Sequence, residues 1–127
     1  MIQTYKVAAP PSANVMYRHV GSKVLKSKAY RDWLADACCE IYAKGYPTPM
    51  DGPLRVSITV QPHDRRLRDL DNYAKPCLDL LEAAAVISND QDVVSLQMFR
   101  HHPNKELLHT VTLAVELSGI APASGKS

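Results

Sequence analysis

Residues 54–61, Leu-Arg-Val-Ser-Ile-Thr-Val-Gln, alternate without a break: Leu54, Val56, Ile58 and Val60 on one side, Arg55, Ser57, Thr59 and Gln61 on the other. Successive side chains of a β-strand point to opposite faces, so this stretch is a strand with one apolar and one polar face. A sheet built on it needs a cover on one side. Two helical stripes elsewhere in the chain are suited to supply it.

The first stripe follows Ser27, which suits a helix cap, and runs through Tyr30, Trp33, Leu34, Ala37, Cys38, Ile41 and Tyr42 to a stop at Gly45. The second runs through Tyr73, Cys77, Leu78, Leu81 and Ala84 or Ala85. Pro76 lies inside it; a proline past the first turn removes a backbone hydrogen bond, so the regular helix is expected to start near Pro76 or to kink there. Three more strands are expected. One is "IQTYKVAA", stopped by Pro10-Pro11, which cannot donate to a ladder. The others are "VVSLQMFRH" and "LLHTVTLAVEL", with Pro103-Asn104-Lys105 between them as a hairpin. Residues 10–23 read as a loop, and residues 118–127 as a flexible tail of small and polar residues. The expected fold is a single α+β domain over residues 1–117, with two main helices against a mixed sheet.

A chain of 127 residues is long enough to bury its own core. No apolar run approaches the length that spans a bilayer, and polar Gln3, Thr4 and Lys6 do not suit a signal peptide. The expectation is a cytoplasmic protein with no membrane partner, and three cysteines, two of them adjacent, fit reduced thiols there. Neither His101–His102 nor any Cys/His pair has structural zinc spacing.

The net charge of +2 conceals an asymmetry. Residues 1–31 carry Lys6, Arg18, Lys23, Lys26, Lys28 and Arg31 and no acid, and a second basic knot, Arg65-Arg66-Leu67-Arg68, runs straight into "DLDNYAK". Such a distribution suits phosphate contact in one region and metal handling in another, or else a solvated charged face. If Asp69-Leu70-Asp71 is extended, its two carboxylates share a side and repel, which calls for a cation between them. Asp90, in the loop after the second helix, is a third candidate carboxylate, and three such groups with water suit Mg²⁺. Lys75 would face the same cavity. The competing reading is structural: Asp71 or Asn72 caps a helix, and Lys75 makes surface ion pairs with Asp71 or Asp79, each four residues away. A calcium loop counted from Asp69 fails, with Tyr73, Ala74 and Leu80 where a ligand, glycine and glutamate are needed.

"RRLRDLDNYAKPCLDLLEAAAVISNDQDV", residues 65–93, resembles the core of the RusA family of Holliday-junction resolvases, and "PPSANVMYRH", residues 10–19, is similar to that family's N-terminal loop. The likeness covers about residues 5–117. It implies a RusA-like homodimeric endonuclease that uses Mg²⁺, with Mn²⁺ as a substitute, and cuts four-way junction DNA by paired symmetric nicks. Matched by position, Asp69, Asp71 and Asp90 would be metal-binding and catalytic, and Lys75 the essential lysine. Arg65, Arg66, Arg68 and Asn72 would contact DNA, with Asp79 in support. Pro76 and Cys77 stand where helix formers are expected, and Asn89 stands where a second aspartate can occur beside Asp90; the near neighbour Asp92 would compensate for that charge and ranks below Asp90. Tyr17, Tyr73 and Phe99 are candidate stacking platforms. Two other readings remain: a non-catalytic structural protein that binds junctions or DNA, and a metal-dependent nuclease acting on RNA or duplex DNA.

Overall fold

The computed structural model describes residues 2–65 and 69–119. Arg66, Arg68 and the tail from residue 120 lie outside the described residues, so the expectations placed on them do too. In chain order the elements are β1 (Ile2–Ala8), α1 (Ala13–Met16), β2 (Tyr17–Val20), β3 (Lys23–Lys26), α2 (Lys28–Tyr42), β4 (Leu54–Gln61), α3 (Asp71–Ala83), a 3₁₀ turn (Asp90–Asp92), β5 (Val93–Arg100) and β6 (Thr110–Leu117). None of the described helices is long and apolar enough to cross a membrane.

The alternating segment is the spine. β4 lies inside a four-stranded mixed sheet ordered β1-β6-β4-β5, antiparallel to β6 and parallel to β5. Its apolar residues Leu54, Val56, Ile58 and Val60 are fully buried, while its polar residues are half-buried on the other face. Val111, Leu113 and Val115 of β6 and Tyr5 and Val7 of β1 extend the apolar face. α2 covers it with Tyr30, Trp33, Ala37 and Ile41, and α3 with Tyr73, Cys77, Leu80 and Leu81. These side chains form one core, which makes the domain two-layered α+β, as expected. Ser27 caps α2, its hydroxyl accepting from the Tyr30 amide at 3.1 Å.

Three expectations are corrected. Residues 10–23 are not simply a loop: they hold α1 and most of a β2–β3 hairpin, turned at Gly21, whose φ of +62° favours glycine. β5 and β6 do not form a hairpin; β4 separates them, because β6 has a fully alternating buried face that gains more between two strands than at an edge. α3 runs through Pro76 from Asp71 instead of starting at the proline. Pro76 is buried there, one turn into the helix. Cys77 beside it is also fully buried, which pushes its thiol up to about 12 and makes it a packing residue.

α3 ends in paired bonds, Val86 N–H to the Leu81 carbonyl at 2.9 Å and Ala85 N–H to that of Glu82 at 3.1 Å. This closure requires a left-handed residue, and Ala85 adopts φ of +60° to supply it. Ala85→Gly is therefore expected to stabilise the fold by about 0.5–1 kcal/mol, read as a higher urea midpoint at unchanged slope.

Candidate active site

The chain leaves the end of β4 through Pro62 and enters α3 through a tight turn. The Asn72 amide donates to the Asp69 carbonyl at 3.1 Å and the Tyr73 amide to that of Leu70 at 3.0 Å. Half-buried Leu70 packs against the core and pins this turn. Asp69-Leu70-Asp71 is thus not extended, and the strand alternation proposed to pair its carboxylates does not apply. Nor do Asp71 and Asn72 cap the helix: Leu70 holds the cap position, and no side-chain cap bond is made. Asp69 and Asp71 are both exposed, Asp71 in the first turn, where the helix dipole favours a negative charge.

Asp90 is held elsewhere. Its amide donates to Glu82 Oε2 at 3.1 Å near the far end of α3, and the Asn89 side chain accepts from the Gln91 amide at 2.8 Å to shape the turn. Because β4 and β5 are parallel, α3 must carry the chain back along the sheet between them. Asp71 and Glu82 are accordingly separated by roughly 16 Å along the helix axis. The structure brings Asp69, Asp71 and Lys75 to one end of the sheet and leaves Asp90 at the other. Among the described residues, no three His, Cys, Asp or Glu side chains are grouped to hold a metal. Asp92 shares the 3₁₀ turn with Asp90.

Lys75 is oriented from below. Its ammonium lies 3.4 Å from Asp79 Oδ1, and the Tyr30 hydroxyl donates to Asp79 Oδ2 at 2.5 Å. Asp79 is only 15% exposed, against 68% for Lys75. Burial, then the Asp79 carboxylate beside it, pushes the Tyr30 hydroxyl far above the usual tyrosine range, so it remains a donor. Of the two ion pairs open to Lys75, the structure makes the one with Asp79. The sequence marked Tyr30 only as part of a core stripe; its link to α3 had no local signal, since the two partners are 49 residues apart.

A cation-rich cleft, with Asp64 also in its wall, borders the same end of the sheet. β5 delivers Arg100, His101 and His102 beside Arg65 because it is parallel to β4 and ends on the same edge. The His101 amide donates to the Val60 carbonyl at 3.0 Å and the Asn104 amide to that of Pro62 at 3.1 Å, which fastens the two loops together. Between them lie adjoining hollows of about 290 and 680 Å³, the larger reaching Lys105 and Glu106. This convergence has no local signal in the sequence, because it depends on strand direction. Two proposed stacking platforms are unsuited to that role. Tyr73 is buried and its hydroxyl is 2.9 Å from His109 Nε2, while Tyr17 sits edge-on against Tyr30. Phe99 is exposed on β5.

Two carboxylates and a lysine at the start of one helix, beside a cation-rich cleft, have the chemistry of a protein that handles phosphodiesters. Residues 8–115 match the family model described as Endodeoxyribonuclease RusA. The chain is 36% identical over 90 residues to the crossover junction endodeoxyribonuclease RusA of Aquifex aeolicus, covering 70% of this chain and 71% of the relative. It is 32% identical over 106 residues to that of Enterobacteria phage 82, and 31% over 108 residues to that of Escherichia coli K12; each match covers 78% of this chain and 84% of the relative. The chain belongs to the RusA family of endodeoxyribonucleases.

If Asp79 acts by holding Lys75 in place, Asp79→Asn lowers the DNA-cleavage rate on the order of tenfold to a hundredfold at unchanged DNA affinity. In a Lys75→Ala background the same change has no further effect on rate; additive losses would show that Asp79 acts by another route.

Proposed function

We propose that this protein is a homodimeric, cytoplasmic endonuclease that resolves four-way DNA junctions by paired symmetric nicks, using Mg²⁺ or, as a substitute, Mn²⁺. Kinship with proteins named crossover junction endodeoxyribonucleases supports the substrate. The carboxylate turn carrying Lys75 on α3 is the observation that supports the chemistry.

Asp69, Asp71 and Asp90 are hard oxygen donors of the kind Mg²⁺ takes. When bound, such an ion activates water and offsets charge on the leaving oxygen. Lys75 places a positive charge where the phosphoryl oxygens gain negative charge, and Tyr30 and Asp79 hold it there. Arg65, Arg66, Arg68 and Asn72 are the proposed DNA contacts in and before the site, and Arg100 and Lys105 add to them from the cleft. A water and the scissile bond are exchanged for a hydroxyl and a phosphate, with no redox step.

The separation of Asp90 from Asp69 and Asp71 supports the dimer. A two-fold axis beside β5, an edge strand of the sheet that exposes Leu96 and Phe99, runs two β5 strands antiparallel. The start of one β5 then meets the end of the other, and Asp90 of one chain approaches the Asp69–Asp71 turn of its mate. Two such sites on one two-fold match the two strands that a junction resolution must cut.

End-labelled four-way junction, matched duplex and single-stranded RNA, each with Mg²⁺ or with EDTA, test the reading on a denaturing gel. Paired nicks in the junction alone, dependent on metal, are expected. Shifted but uncut junction would favour a structural binder, and cut duplex or RNA a broader nuclease. Asp71→Asn and Asp90→Asn are each expected to bind junction without cutting it, whereas a mixture of the two regains nicking through the one intact site of the mixed dimer. A mixed dimer that stays inactive sinks the shared site.

A further inference from the structure

The β2–β3 hairpin takes no part in the main sheet, and its composition is unusual for a solvated ribbon. Residues 17–26 hold Arg18, His19, Lys23 and Lys26 and no acid. Cross-strand pairing sets Arg18 opposite Leu25 and Val20 opposite Lys23, so these four share one face. All four are exposed, Val20 at 44% and Leu25 at 43%. Two cations beside two apolar side chains on an uncovered face fit a partner that is anionic and has apolar surface within reach.

The root of the hairpin is tied to the lysine-bearing helix. Lys26 Nζ lies 5.6 Å from the centre of the Tyr30 ring, and the Tyr17 ring packs edge-on against it at 5.7 Å. Tyr30 in turn bonds Asp79, the partner of Lys75. The Ser27 amide closes the base on the Met16 carbonyl at 2.8 Å. Whatever the hairpin grips is therefore held in a fixed relation to Lys75.

We propose that this hairpin is a DNA-gripping arm, with Arg18 and Lys23 on backbone phosphates and Val20 and Leu25 against bases unstacked at a branch point. The arm rests on the DNA-cleaving reading and names the feature of the substrate that it recognises. An intact duplex offers phosphates to the cations, but its base faces are covered by their neighbours. Apolar side chains gain contact only where the stack opens, as apolar wedges do in bent DNA. The arm thus favours branched over continuous DNA.

The test uses the full chain in EDTA, with a four-way junction carrying 2-aminopurine at its branch point and a duplex of matched sequence. Wild-type binding is expected to raise the fluorescence of the junction and not that of the duplex. Arg18→Ala with Lys23→Ala should weaken both complexes and lower the salt slope of binding by about two for each arm of the dimer that is engaged. Val20→Ser with Leu25→Ser should abolish the fluorescence rise and the preference for junction while duplex affinity holds; Leu25→Thr alone serves if that double variant unfolds in a urea titration. A cation variant with the wild-type salt slope, or an apolar variant with the full fluorescence rise, overturns the arm. So does an apolar variant that alters only self-association of the free protein, which would make this face a contact between copies. A wild-type protein that binds no junction at all overturns the DNA reading itself, an outcome distinct from these.

Discussion

Parallel pairing of β4 with β5 is the constraint from which the rest of the architecture follows. Parallel neighbours cannot be joined by a tight turn, so the chain must climb back across the sheet, and α3 is that return. The helix covers the apolar face of β4, and in doing so it separates the two acidic loops at its ends. The same parallel direction gathers Arg65 and Arg100 on one edge. One backbone choice thus disperses the carboxylates and concentrates the cations.

The helical layer does more than exclude water. Tyr30 is completely buried, yet its hydroxyl reaches a carboxylate on the neighbouring helix, so the packing of α2 on α3 is also a polar registration. A misplaced α2 would cost both the bond from the Trp33 indole to the Ala8 carbonyl of β1 and the hydrogen bond to Asp79. Polar links of this kind discriminate among packings that apolar contacts alone would tolerate. The surface lysine above them inherits its position from the core.

Features with local causes were legible in the sequence. Ser27 before a helical stripe, the alternation of β4 and the Pro10-Pro11 break each act through neighbouring residues, and each appears where expected. The β5–β6 hairpin misled because a short polar connection says nothing about which strands will lie side by side. The hairpin at 17–26 was hidden by its exposure, since strands with no buried face lose the alternation that announces them. At the site, the motif offered Asp69, Asp71, Lys75 and Asp90 as one set, but the arrangement of that set depends on strand direction. Spacing along a chain carries no such information.

Pro76 gives the front of α3 a mechanical character. It has no amide hydrogen to return to the carbonyl of Asn72, so the helix lacks one of the latches that would lock its opening turn to its body. Tyr73 and Leu70 fasten that turn to the core at its base instead. The first turn is thus held to the helix body by one backbone bond fewer and to the sheet by side chains, so the placement of Asp71 depends on the packing of Leu70 and Tyr73 as well as on helical geometry.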